Sequence, residues 1–466
     1  DLSGAPDYDN DYIGFKSGFG SSCRRDLEDF TRLHILTSPN VATLPGISIF
    51  LKFESAVGDT PSINVFEAVN DRTDFLHDDD IADRQIQKTK IITVAGVEVQ
   101  LPPQFFRSDG QLSPFIIEGS RAGTGKLNLI VKRGQIEVCR RVVSLELRPI
   151  TDFFQVFRVD AVGGMSRELS ASYNADFTRS DDYLLFVHGF NVDEITKATW
   201  PATIFKRLWW QGYEGHVGFF DWPCLLLKWS NLQCYDESEY NAWRCGVSLA
   251  QRLDALNVGR HRGRVRLLSH SQGNVVAGEA LRLVNPETVH TYIASQAAVS
   301  GDCYQQGLPA YFDDYTTPNV RSDYPGNLGQ PYLHGLEHRV RRRMNFFNPV
   351  DYALHASWLF SWEDNNARRP NTAFWYEGPL NYYDTSALPV PSRFSFDEVP
   401  FLPPGPVDLD FPTNAFQIFS FAAEARARPL GVQPTIAVFD SFSLASLGYG
   451  NEHYSHSRQF RSNIVD

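Results

Sequence analysis

VRLLSHSQGNVVAGEALRL, residues 265–283, is the stretch that decides the fold. An apolar run enters SHSQG (269–273), and a segment with helical apolar spacing follows directly. A strand, a sharp turn and a helix in this order lift a serine hydroxyl above the edge of a sheet. The turn requires small residues two before and two after the serine, and Ser269 and Gly273 meet that requirement. Ser271 is therefore the predicted nucleophile; the alternative is that Ser271 only caps the helix.

Outside this stretch, the second half of the chain alternates strand-like apolar runs with longer segments of helical spacing. Such alternation predicts an α/β architecture with parallel strands and crossover helices. The strand-like runs are YLLFVHGF (183–190), HVGFFDW (216–222), RVRLLSHS (264–271), TYIASQAAV (291–299), RMNFFNPVD (343–351) and TIAVFD (435–440).

The first part of the chain has a different pattern, with short alternating apolar runs between about 47 and 148. Their length, β-branched content and spacing favour an antiparallel β-sandwich. One hairpin is expected to turn at Arg133-Gly134, and residues 1–40 are expected to form an irregular lead-in. The predicted strands are ISIFLKF (47–53), SINVFEAV (62–69), KIITVAGVEVQL (90–101), SPFIIEG (113–119), KLNLIVKR (126–133) and IEVCRRVVSLEL (136–147).

A polar, small-residue segment near 150–180 predicts the boundary between two domains. We expect an accessory domain over 1–155 and a catalytic domain over 156–466. Two long segments, at about 302–340 and 361–432, exceed ordinary connections. Insertions after late strands overhang the carboxyl edge of such a sheet, so we expect them to wall a substrate cleft.

A second motif lies about eighty residues before the serine, at LLFVHGFN (184–191). An apolar strand that runs into His-Gly resembles the oxyanion loop of lipases and esterases. In that loop the residue after glycine donates its amide to the developing oxyanion, and here that residue is Phe190. The amide of Gln272, at the start of the helix after Ser271, is the predicted second donor. The alternative is an ordinary strand end with a turn glycine.

A serine nucleophile needs a histidine base, and the base needs a carboxylate that fixes its tautomer. In this architecture the acid and then the histidine follow the serine along the chain. Asp351, after the run MNFF, is the predicted acid; it could instead cap a helix, and Asp440 is its weaker competitor. His456 is the predicted base, and the spacing leaves His453 open as the alternative.

Taken together, residues from about 180 to 466 resemble the α/β-hydrolase superfamily. The resemblance rests on VHGFN (187–191), on SHSQG (269–273) and on the order Ser271, Asp351, His456. It implies a mainly parallel eight-stranded sheet flanked by helices, and catalysis without a metal or cofactor. Ser269 stands where glycine is commoner. The N-terminal part is similar, more loosely, to accessory β-sandwich domains of bacterial extracellular enzymes.

Composition narrows the classes of partner and compartment. A net charge of −12 argues against nucleic acid, since phosphate binding needs a basic surface. No apolar run reaches the roughly 20 residues that span a bilayer.

Six cysteines without a CxxC pattern argue against structural zinc. Cys224 and Cys234 could close a short loop, or they could be buried free thiols. The acidic run Asp78 to Asp80 is expected to be a solvated loop rather than a calcium site. The chain opens on Asp1, as a processed secretory protein would and as a trimmed chain also would; of the two, we expect a protein outside the cytoplasm.

These observations predict a serine-dependent hydrolase of small-molecule or lipid carboxylic esters. Amide or lactone hydrolysis by the same triad is one alternative. A non-catalytic binding or surface protein on the same scaffold is another, because fold does not entail function. No signal for a particular oligomeric state occurs in the sequence.

Overall fold

The computed structural model describes residues 30–36, 44–68, 90–103, 113–226, 234–299, 336, 339–347 and 440–443. In the N-terminal part, eight strands form two antiparallel sheets of four, in the orders β1-β6-β3-β4 and β5-β2-β7-β8. These strands are β1 (Phe30–Ile35), β2 (Ile47–Val57), β3 (Ser62–Glu67), β4 (Lys90–Val94), β5 (Val99–Gln100), β6 (Ser113–Arg121), β7 (Gly123–Arg133) and β8 (Ile136–Leu147).

The two antiparallel sheets share one apolar core, as the strand pattern predicted. Leu51 and Phe53 from one sheet pack in the same buried cluster as Val65 and Phe115 from the other. Apolar side chains of both sheets thus bury one shared core, which is the packing of a β-sandwich.

The predicted hairpin between β7 and β8 is confirmed. Arg133 pairs with Ile136 across the turn, and Gly134 has φ +59°. A left-handed backbone of this kind costs glycine nothing, because it lacks a Cβ atom.

Two expectations for the N-terminal part are wrong. Residues 30–35 are not an irregular lead-in but strand β1, which pairs antiparallel with β6. The run 90–101 is not one strand, since the chain bends at residues 95–97 and passes from one sheet to the other. The bend is held where the Phe53 amide donates a 2.7 Å hydrogen bond to the Ala95 carbonyl.

In the described part of the second half, eight strands form one sheet of order β10-β9-β12-β11-β13-β14-β15-β16. All neighbouring pairs are parallel except β10 with β9. Its strands are β9 (Gln155–Val159), β10 (Ser166–Glu168), β11 (Tyr183–Val187), β12 (His216–Asp221), β13 (Val265–His270), β14 (Val289–Ser295), β15 (Val340–Phe347) and β16 (Asp440–Ser443). The helices between them within the described residues are α1 (Glu194–Trp210), α2 (Cys234–Leu256) and α3 (Gly273–Leu283).

Strands β9 and β10 lie in the region near 150–180 where we expected the domain boundary, and the sequence pattern predicted neither of them. Both are short, and charged side chains on β9 and β10 weaken the alternation that would have marked them. Strand β9 begins at Gln155, next to the expected domain division, which stays a prediction.

Burial on both faces explains the continuous apolar runs of the large sheet. On β11, Leu185 and Val187 pack in one core cluster, which also contains Val276 of α3. Phe186, between them, points to the other face and packs with Trp200 of α1. Among the described helices, none combines the length and the apolar character needed to cross a bilayer.

The strand order creates a crevice at the carboxyl edge. From β11 the chain crosses through α1 to β12 on one side, and from β13 it crosses through α3 to β14 on the other. Connections that leave two neighbouring strands in opposite directions leave a gap between them, and ligands of open α/β sheets bind there. Both sequence motifs end at this gap.

Candidate active site

Ser271 occupies the sharp turn between β13 and α3. Its backbone has φ +50°, in the left-handed region that a residue with a Cβ atom rarely adopts. The Ser271 amide donates to the Ser295 carbonyl over 3.1 Å, and the Ser271 carbonyl accepts from the Ala298 amide over 3.1 Å. Hydrogen bonds to the end of β14 therefore fix the strained turn.

Strained backbone concentrates at this edge of the sheet. Among the described residues, four that are not glycine have a positive φ: Asn191, Ser271, Glu287 and Gln296. Asn191, Ser271 and Gln296 follow the carboxyl ends of β11, β13 and β14, which are neighbours in the sheet. Such conformations cost about 1–3 kcal/mol each and cluster at functional sites.

Two glycines let the turn and the His-Gly loop touch. A Cβ atom on Gly273 would lie 2.4 Å from the His188 carbonyl oxygen, and one on Gly189 would lie 2.8 Å from the Ser271 Cβ. Neither distance is sterically possible, so only glycine fits at these positions. The contact places Phe190, the residue after Gly189, directly beside the serine turn.

The buried His188 ring fixes the position of the His-Gly loop. It is fully buried and stacks between Phe219 and Trp222, with centroid distances of 5.5 and 5.4 Å. Its Nδ1 lies 2.9 Å from the Gly189 carbonyl oxygen, and the Trp222 indole Nε1 donates to the His188 carbonyl over 2.7 Å. The side chain and backbone of one residue thus fix the path of the loop.

We assign the His188 ring as neutral, with its proton on Nδ1. Burial opposes a charge on this ring, whereas the contacts with Cys224 and Asp221 favour one and raise the pKa of His188. The hydrogen bonds argue the other way, because the Trp222 amide donates to Nε2 over 3.2 Å and so needs a lone pair there. The neighbouring charges also favour a neutral ring, since two nearby cations already neutralise the Asp221 carboxylate.

Those cations are Arg158 and Lys197, which contact the Asp221 carboxylate at 2.5 and 3.0 Å. Asp221 ends β12, and its side chain is only 2% exposed. Burial alone would raise the pKa of this carboxyl, but its polar surroundings, the cationic Lys197 among them, hold it well below its usual range. The ion cluster anchors the end of β12 beside the His-Gly loop.

Gln272, the residue after the serine, is held by α2 through a contact that the sequence did not predict. The Ser238 hydroxyl of α2 donates to the Gln272 side-chain oxygen over 2.7 Å. The same hydroxyl accepts from the Leu225 amide over 3.1 Å. A lone serine in the first turns of a long helix gives no motif, so only the fold reveals this contact.

The structure brings together Ser271, Gln272 and the loop that carries Phe190. Asp351 and His456, the predicted acid and base, lie outside the described residues, as does His453. Asp440 opens β16 and is mostly exposed, 3.6 Å from Arg342, so it does not end a strand at the carboxyl edge. Cys224 is a free thiol and closes no loop with Cys234.

The chain has no match among protein-family models and none among curated proteins. Among solved structures it is similar to MenH from S. aureus, at 14% identity and a TM-score of 0.20, over 38% of this chain and 79% of that one. It is also similar to prolyl oligopeptidase B from Galerina marginata, at 14% identity and a TM-score of 0.26, over 55% of this chain and 38% of that one. Likenesses this distant assign no residue, so the site rests on the geometry above.

Proposed function

We propose that this chain is a serine hydrolase of the α/β-hydrolase type that cleaves carboxylic esters through an acyl-enzyme on Ser271. The observation that carries the proposal is the left-handed backbone of Ser271 at a strand-to-helix turn, φ +50°, against the His-Gly loop. A serine that only capped the helix would not need this conformation, since capping residues normally have extended backbone.

In the proposed reaction the Ser271 hydroxyl attacks the ester carbonyl carbon, and His456 accepts the hydroxyl proton. The tetrahedral intermediate collapses, the carbon–oxygen bond to the alcohol breaks, and His456 returns the proton to the departing alcohol. Water then attacks the acyl-enzyme with His456 as base and releases the carboxylic acid. Asp351 orients the imidazole and stabilises its charged form.

The proposed oxyanion donors are the backbone amides of Phe190 and Gln272. Support comes from their positions, one directly after Gly189 at the serine turn and the other at the start of α3. The positive end of the helix favours negative charge at that point. One such donor contributes about 3–4 kcal/mol to transition-state stabilisation.

Esters are the proposed substrate class because an alcohol leaves more readily than an amine. A panel of p-nitrophenyl esters of increasing acyl length tests the proposal in the full chain. We expect Ser271→Ala to lose activity by about 10³-fold or more, and Ser172→Ala, at an exposed serine, to keep it.

The same panel distinguishes the candidate triad members. Loss of activity in Asp351→Asn and His456→Ala, with activity kept in His453→Ala, is the expected pattern. Loss in His453→Ala with activity kept in His456→Ala would move the base to His453. A wild-type chain that hydrolyses no ester, amide or lactone would contradict the proposal.

A further inference from the structure

Two basic stretches of the chain meet at the amino edge of the large sheet, opposite the edge with Ser271. GRHRGR (259–264) leads into β13, and RVRRR (339–343) spans the start of β15. Strand β14 lies between them and pairs in parallel with both. Because parallel strands start at the same edge, the fold gathers these stretches around the start of β14.

A cavity of about 160 Å³ opens at this place. A volume of this size holds several water molecules, and therefore one tetrahedral oxyanion. It lies between the loop that precedes β13 and the loop that precedes β14. Its lining residues are Asn257, Arg262, Gly263, Pro286, Glu287, His290 and Arg341.

Some arginines near the cavity form an ion pair with a carboxylate, whereas others do not. Outside its lining, three arginines have carboxylate partners: Arg264 with Asp181, Arg266 with Asp182 and Arg342 with Asp440. Arg262 and Arg341, in the lining, are exposed and make no ion pair within the part of the chain that the structure describes.

The polar groups between these arginines are oriented by the protein. The Asn257 side-chain oxygen accepts from the Gly263 amide over 2.7 Å. His290 Nδ1 lies 2.8 Å from the Thr291 hydroxyl oxygen. This contact holds the ring in place, and within the described residues its Nε2 makes no hydrogen bond.

The local field at His290 is positive. Burial lowers the pKa of His290 most, and the charges of Arg266, Arg341 and Arg342 lower it further, whereas Asp182 opposes them. In the lining itself, Glu287 is the one carboxylate among the described residues, against Arg262 and Arg341. An anion in the cavity would offset this excess of positive charge.

We propose that this cavity binds a small oxyanion of the phosphate or phosphate-monoester class, held by the guanidinium groups of Arg262 and Arg341 and by the imidazole of His290. Arginine suits this ligand because its planar fork donates two parallel hydrogen bonds to an oxyanion. The site is separate from the serine site and does not depend on the proposed esterase activity.

Titration of the full chain with inorganic phosphate at constant ionic strength tests the proposal. We expect calorimetric binding with a Kd of about 1 mM or tighter, and a rise of about 0.5 or more in the pKa of His290, measured by NMR. Chloride at the same ionic strength should give neither. No saturable phosphate binding, or equal effects of chloride, would overturn the proposal.

Phosphate binding by variants of the lining residues tests whether the anion binds in this cavity. Arg262→Gln with Arg341→Gln should weaken phosphate binding about tenfold or more, whereas Arg179→Gln, an exposed arginine beside Glu214, should not. Glu287→Gln should tighten binding, because it removes the opposing carboxylate. Thermal unfolding of each variant checks that it is folded. Unchanged binding in the double variant, or weaker binding in folded Glu287→Gln, would contradict the site.

Discussion

Gly189 packs against Ser271 so closely that a Cβ atom on residue 189 would lie 2.8 Å from the Ser271 Cβ. The contact joins the two motifs that lie about eighty residues apart in the sequence. It also fixes the geometry of the proposed oxyanion site, since Phe190 follows Gly189 directly. The relationship between these two residues therefore connects the fold to the proposed chemistry.

Gly189→Ala should lower ester hydrolysis by about 10²-fold or more, because the added methyl group must push the oxyanion loop away from Ser271. Gly96→Ala is the matched control, since its methyl group would meet Thr60 at an ordinary 3.6 Å. Steady-state kinetics of both variants check the prediction. Full activity in Gly189→Ala would mean that the loop has no part in catalysis.

Asp221→Asn should destabilise the fold by about 3 kcal/mol or more, because it leaves Arg158 and Lys197 beside a neutral amide in a buried site. Asp160→Asn removes an exposed partner of Arg167 and should change the urea midpoint little. Urea unfolding at pH 7 compares the two. Equal midpoints would show that the buried cluster is not a structural anchor.

Because of His216, the free energy of unfolding should decrease in mild acid. Burial, together with the charges of His261 and Arg260, lowers the pKa of His216 to about 4, whereas an unfolded histidine titrates near 6.5. The unfolded chain therefore binds the proton first, so this contribution is complete above about pH 6.5 and is lost as the pH falls towards 4. We expect His216→Gln to unfold with a shallower pH dependence, by on the order of 2 kcal/mol across that range. Parallel curves for the two proteins would contradict the assignment.

Glu239 is fully buried on α2, and its carboxyl oxygens have no hydrogen-bond partner among the described residues. Burial raises its pKa well above the usual range, which favours the neutral acid. Glu239→Met should raise the free energy of unfolding by about 1–2 kcal/mol, since it removes an unsatisfied polar group.

Glu279→Met is the matched control for Glu239. Glu279 is also buried, but it accepts two hydrogen bonds from Arg282, at 3.0 and 2.8 Å. Its replacement should lower the free energy of unfolding, because it leaves the guanidinium without its partner. Urea unfolding that shows the same loss in both variants would mean that Glu239 has a native partner.

The sequence predicted those parts of the molecule that depend on local spacing. Residues 136–147 match β8 from end to end, because alternation is a local property of the chain. The turn at Ser271 was predictable for the same reason, since small residues flank it at fixed positions. Strand β10 was missed because it has only three residues and gains its place by pairing with β9.

Contacts between distant segments could not be predicted. The hydroxyl of Ser238 reaches Gln272 only because α2 packs beside α3. The stacking of His188 between Phe219 and Trp222 likewise depends on the neighbouring strand β12. Asp351 and His456 stay predictions from chain order.

Covalent labelling with a fluorophosphonate probe tests the central claim most directly. The probe forms a stable bond only with an activated serine, and peptide mapping identifies the modified residue. We predict one label per chain, on Ser271 in the peptide that contains residues 265–283, and none on Ser271→Ala. An unlabelled wild-type chain, or a label on another serine, would contradict the assignment of Ser271 as the nucleophile.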